Sequence, residues 1–565
     1  MLIKHFRSIT LMVALLVTLS LTSQTNAQQA TLGSVDFPTS AKSPEAQKHF
    51  IRGVAALHSF WFEEALEAFR AATKIEPDFM MGYWGEAMAH NHPLWSEQDT
   101  ESGRKVLTKL QDAKNLTDKE RAFIGAARAL YGEGDKLTRD KAYAAAMEKI
   151  YNDYPKDSEA AIFYSLSLLG TVRAGDKGYA RQMKAGAIAL EVYQKNPNHP
   201  GAAHFIIHAF DDPEHAILAL PAAYRYAQIA PESSHARHMP SHIFVQLGMW
   251  DNVATSNESA WEASDVWVKR KNLPIYLRDY HSLHWLNYAY LEQGRYKKAE
   301  ETMEVMRESM RKSNYENDMR PNYYENNYVT MSADLIVGTE RWSDAKQIFD
   351  AMPKSTAKAA TPAPASGEHA GHTMGSSDAK TVRPTAQRFR YLTTFINGLA
   401  AAAMNKTDEA ERNAAELAEV AKLFNGQQAK SIEIMQLEVR AFAASMKGAH
   451  EQAIELMKRA TALEEDMSPP SGPPSLIKPS HELYGEILLR ANRPKEAAQA
   501  FSVALARQPN RVRSLIGAAR AADQSGDTKA ATTAYSKLLK IWSKADAGIK
   551  EVAEAQDYLK QAQGR

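Results

Sequence analysis

The strongest constraint on this chain is a spacing that occurs twice. Gly53, Ala65, Phe69, Ala72 and Pro77 are separated by 12, 4, 3 and 5 residues, and Gly485, Ala497, Phe501, Ala504 and Pro509 repeat those intervals near the other end. A proline ends each set where a helix would stop, and one interval set filled twice points to a helix–turn–helix unit used more than once. A helix pair of this size cannot bury its apolar face alone, so it must stack on copies of itself. At 565 residues the chain also exceeds what one ordinary core supports. A stack of helix pairs satisfies both conditions.

With Ala46 as the first position, the five N-terminal residues fall at positions 8, 20, 24, 27 and 32, a pattern that resembles the tetratricopeptide repeat. Ala519, Gly526, Ala531 and Tyr535 continue the C-terminal copy 34 residues on. Between the ends the register is looser. Gly294, Ala299 and Met303 mark a unit from Tyr280, Ala345 and Phe349 one from Asn326, Gly398 and Ala410 one from Tyr391, and Gly448, Ala453 and Ala460 one from Ile434. Helical patterns over Thr117–Tyr131 and Asp157–Val172 read as degenerate copies. The expected fold is all-α: an α-solenoid of roughly a dozen tetratricopeptide-like hairpins forming a superhelix with a concave groove.

Lys4 and Arg7 precede an apolar run from Ile9 to Leu21, and Thr25 and Ala27 supply the small residues of a cleavage site, so residues 1–27 read as a signal peptide. The run is shorter than the roughly 20 residues of a membrane span. The expected location is therefore periplasmic or secreted, with no membrane span after cleavage. The 68 basic and 67 acidic residues nearly balance, which gives no footprint for nucleic acid. Cysteine is absent, so disulfides and thiolate chemistry are excluded, and any metal site must draw on His, Met, Asp or Glu.

The chain then divides into an N-terminal extension over 28–45, a solenoid over 46–352, an insert over 353–385, further repeats over 386–467, a connector over 468–479 and a C-terminal pair over 480–565. The insert is rich in Ala, Pro, Ser, Thr and Gly and reads as flexible. Its His369, His372 and Met374 resemble the Met/His-rich segments of periplasmic copper-handling proteins, beside the plainer reading of a solvated linker. The connector, SPPSGPPSLIKP, favours extended chain.

Seven of the eighteen histidines lie between His199 and His242. His204 and His208 recur as His238 and His242, each 34 residues later, at positions 5 and 9 of adjoining units. Those positions lie roughly 100° to 140° round the helix from the core stripe. The repeat resemblance implies that they face the concave groove, joined by His281 and His284 from the next unit. His235 reads as a loop residue, and His199 and His215 as helix ends. His90 and His92 close an early first helix. Asp211, Asp212 and Glu214 are candidate outer partners for liganding imidazoles. Pro240 opposes a shared face for His238 and His242, because a helix can begin there. Glu482 and Glu486 form an acidic pair at the corresponding C-terminal positions, facing either solvent or, in a tightly curled superhelix, the histidines.

The stretches HPGAAHFIIH and HMPSHIF, with GYWGEAMAHNHPLW and PSHELYGEILL, also resemble a group of exported bacterial tetratricopeptide proteins, which supports fold and location rather than chemistry. Two functions remain open. One is an exported solenoid whose groove binds a protein, peptide or small ligand. The other is a zinc- or copper-binding protein, or a metalloenzyme of unknown reaction, with His204, His208, His238 and His242 as first ligands. No catalytic motif decides whether it is an enzyme.

Overall fold

The computed structural model describes residues 32–110, 114–173, 175–176, 178–313, 323–353 and 386–563. The signal segment 1–27 and the insert histidines with Met374 lie outside the described residues. Twelve successive helix pairs run from Pro44–His58 with Phe62–Ile75 to Val512–Gln524 with Thr528–Ile541, counting Ser234–His238 and Pro240–Gln246 as one broken helix. A last helix, Lys550–Gln563, closes the array. The only sheet among the described residues is a two-residue ribbon pairing Asn91–His92 with Glu97–Gln98. No helix among the described residues is long and apolar enough to cross a membrane. The fold is an all-α helical solenoid of tetratricopeptide-like pairs.

The repeated spacing has a direct packing cause. A Cβ on Gly53 or Gly85 would lie 2.6 Å or 2.3 Å from the Phe69 ring, and one on Gly485 or Gly517 would lie 2.6 Å or 2.1 Å from the Phe501 ring. Each conserved-interval phenylalanine on a second helix is thus clasped by glycines from the first helices on either side. Both rings are fully buried. Gly517→Ala should therefore destabilise the C-terminal pairs by about 1–3 kcal/mol through overpacking. Urea unfolding would check this, and adding Phe501→Leu should recover part of the loss; no loss in Gly517→Ala would contradict the clasp.

Local signals set the helix ends. Ser43 caps Pro44–His58 by accepting from the Ala46 N–H, with Pro44 in the first turn. Thr117 and Glu120 form a capping box at Asp118–Leu130. Ahead of the first helix, Phe37 is buried between Phe50 and Phe123, with ring centroids 5.4 Å and 5.0 Å away. Ser34 N–H donates to the Asn198 carbonyl at 2.9 Å. The segment around Ser34 is therefore pinned beside His199.

The superhelix closes on itself. Lys271 reaches Glu67 at 2.7 Å, and Arg52 reaches Glu232 at 3.3 Å, which brings the first pair against the sixth. The C-terminal pairs dock on the middle of the chain. Trp250 Nε1–H donates to the Asn510 carbonyl, Gln246 to the Pro470 carbonyl, and Trp542 Nε1–H to the Glu292 carbonyl.

Candidate site: two histidine triads

His199 accepts from the Ala202 N–H through Nδ1 at 3.2 Å and so caps Pro200–Ala209. Its Nε2–H then donates to Glu159 at 2.9 Å, while His58 Nε2–H donates to the other Glu159 oxygen at 2.7 Å. Burial works against the Glu159 charge, but the two imidazoles hold its carboxyl down at about 2. These three side chains converge closely enough to hold a metal, but the nitrogens that face Glu159 are already engaged with its two oxygens. They form a brace. Gly201 makes room for it, since a Cβ there would lie 2.9 Å from the His58 ring.

The brace places the His58 carbonyl, which takes a hydrogen bond from His204 Nδ1 at 2.7 Å. A carbonyl only accepts, so Nδ1 carries the proton and His204 Nε2 presents a lone pair. That nitrogen faces two others: His208 Nε2 at 3.0 Å and His235 Nε2 at 3.2 Å. One lone pair cannot take two N–H donors. A cation bound by all three nitrogens satisfies the arrangement, with the His58 carbonyl as outer partner.

A second triad lies alongside, made of His238, His242 and His281. Met239 stays right-handed at φ −53°, ψ −35°, so the chain continues through Pro240 without leaving helical geometry. His238 and His242 therefore share a face after all, with their Nε2 atoms 3.2 Å apart. Asn257 Nδ2–H donates to the Val253 carbonyl, which turns its Oδ1 toward His238 Nδ1 at 2.7 Å. His238 Nε2 again presents a lone pair. On the other side His242 Nδ1 meets Asp211 at 2.7 Å.

Burial pushes the Asp211 carboxyl up to about 8. Burial also takes His242 down to about 3, and burial together with the neighbouring His242 takes His238 down to about 4. At neutral pH one proton thus sits on the Asp211 side, and donors run in one direction from Asp211 through His242 and His238 to Asn257. A metal on His242 Nε2 would displace a proton from this chain and leave Nδ1–H donating to a carboxylate.

The triads touch each other. Ring centroids are 6.1 Å apart for His208 and His242, and 6.2 Å for His235 and His238. Aromatic rings enclose them. Phe60 stands 4.4 Å from His204, Trp95 6.2 Å from His235, and Trp285 4.4 Å from His242, centroid to centroid. Trp95 comes from the loop after His90 and His92. Trp285 is in turn covered by the proline-rich connector, where a Cβ on Gly472 would fall 2.3 Å from its ring.

These placements correct several expectations. His204, His238 and His242 are completely buried rather than lining an open groove, because Phe60, Trp285 and the connector cover them. The four first-choice histidines do not form one set; they divide between two triads. His281 joins the second triad, whereas His284 turns away to Asp334 at 2.9 Å. His235 is in the first turn of a helix, not a loop, and completes the first triad. Its spacing of three from His238 and seven from His242 is a one-face helical stripe that could have identified it. Asp211 serves a site imidazole, but Asp212 instead accepts from the Glu214 and His215 N–H groups and from the His215 ring. Glu482 and Glu486 do not face the histidines. Lys478 binds both, and Arg511 binds Glu482.

No protein-family model matches the sequence, and no curated protein matches it. Among solved structures, the crystal structure of yeast Tom70 aligns with 92% of this chain and 89% of its own at 12% identity and a TM-score of 0.27. The crystal structure of Ypp1 aligns with 92% of this chain and 85% of its own at 13% identity and a TM-score of 0.43. With both scores below 0.5, the fold assignment stands on the helix pairs and their glycine–phenylalanine contacts.

Proposed function

We propose that this protein is an exported metal-binding protein that holds zinc or copper on His204, His208 and His235 and on His238, His242 and His281. The observation that carries the reading is the convergence of three Nε2 atoms at His204, where the His58 carbonyl fixes the proton on the far nitrogen. Neutral imidazoles suit zinc and copper, and three of them leave a coordination position open. The second triad supports it independently, since Asn257 and Asp211 orient His238 and His242 from outside. Export rests on the leader pattern of residues 1–27.

Binding of a protein, peptide or small ligand in the groove was the other use of the scaffold. It no longer draws on His204, His238 and His242, which are covered. Elemental analysis of purified chain never exposed to chelator should find two equivalents of metal. His204→Ala and His238→Ala should each remove one, with the helical circular dichroism unchanged. Metal near zero would remove the proposal and return attention to a partner, sought by crosslinking.

A further inference from the structure

We infer that the two triads hold one dinuclear centre, whose two ions share a bridging oxygen ligand taken from solvent. This rests on the metal-binding reading above. The ring separations across the triads, 6.1 Å and 6.2 Å, place the rings near van der Waals contact and leave no room for a side chain between them. The two sets are therefore neighbouring compartments of one enclosure.

Charge and donor number then point to the bridge. All six donors are uncharged imidazoles when they ligate; of the two carboxyls that act on His238, Asp211 is engaged by the outer nitrogen of His242 and by Gln246, and Asp279 by Ser234 and Ser282. Two adjacent dications in such a lining require an anion between them, and the triads supply none. Three donors per ion also leave each one position short of four. A single hydroxide-type oxygen fills both positions and offsets the repulsion, as in other two-metal sites.

Access is narrow, since His208 and His281 are half-buried and the other four imidazoles are buried. A narrow cleft lined by Phe60, Ser233, Ser234, His235 and Trp267 reaches the first triad. Phe60 forms its inner wall with φ at 50°, a left-handed conformation that a bulky residue adopts only under constraint from its surroundings. The second triad is closed on its far side by Trp285 and the connector. Small ligands thus have the cleft beside His235 and the half-buried edges of His208 and His281 as approaches.

Copper(II) added to the purified mature chain, with copper content and electron paramagnetic resonance read on the same sample, tests this directly. The expected result is two coppers per chain with nearly all of the signal lost through coupling across the bridge, and one azide bound per two coppers. His281→Ala and, separately, His235→Ala should each hold one copper and regain its full signal. Two coppers with full signal, or two azides per pair, would overturn the shared bridge while leaving the metal reading intact. One copper in the unmodified chain would overturn the dinuclear centre, and no copper would overturn both.

Discussion

Replacing Arg511 with alanine is expected to destabilise the folded chain by about 3–5 kcal/mol, because it strands buried carboxylates rather than removing a surface charge. The guanidinium donates to Glu482 through Nε at 2.8 Å, to the Tyr288 hydroxyl at 2.8 Å and to the Ile477 carbonyl at 3.2 Å. It also lies 3.4 Å from Glu292, whose other oxygen accepts from the Val512 N–H. Burial opposes the Glu482 charge, yet Arg511 and Lys478 hold its carboxyl well below the usual range. Glu292 is pushed by burial up to about 7 even with Arg511 present. Without the guanidinium both carboxyls rise further. Urea unfolding should show the loss at neutral pH, and Arg511→Lys, which keeps the charge but not the fork, should fall between alanine and the unmodified chain. A midpoint unchanged in Arg511→Ala would mean the C-terminal pairs do not depend on this network for docking.

Chelation carries the second large effect. A metal that binds only the folded chain, at a thousand times its dissociation constant, stabilises by about 4 kcal/mol per site. Removing it should lower the thermal midpoint, and adding back zinc or copper should restore it. The double variant His204→Ala, His238→Ala should start low and respond to neither treatment. An unmodified chain whose midpoint ignores chelator would count against metal as a structural component.

The helix pairs were legible because their signal is local. Gly485 and Phe501 sit in one unit, and the clash that forbids a side chain at the glycine is decided within a few tens of residues. The imidazole pairs were legible for the same reason, His204 with His208 and His238 with His242 being one helical turn apart. What could not be read was which turns meet. His235 lies against His204 rather than against its own neighbour His238 alone, and that depends on how far one unit rotates from the next. Burial was equally hidden, since the covers Phe60 and Gly472 come from 144 residues before His204 and 230 after His242. Pro240 misled in the opposite sense. A proline in a first turn needs no N–H, so a right-handed Met239 lets the helix resume without turning His238 aside. Glu482 looked like His204 by position, but Arg511 from the following unit claims it.

The reach of those covers also sets when the site can exist. The first triad needs the carbonyl of residue 58, and the second is sealed only when residue 472 lies on Trp285. During synthesis the histidines emerge when roughly half of the chain is made, long before their lid. For that interval the second triad lacks its cover, while Phe60, which stands against the first, is already made. The finished fold narrows the approach, so on the metal-binding reading it is the segment around residue 472, made late, that decides when the second triad is covered.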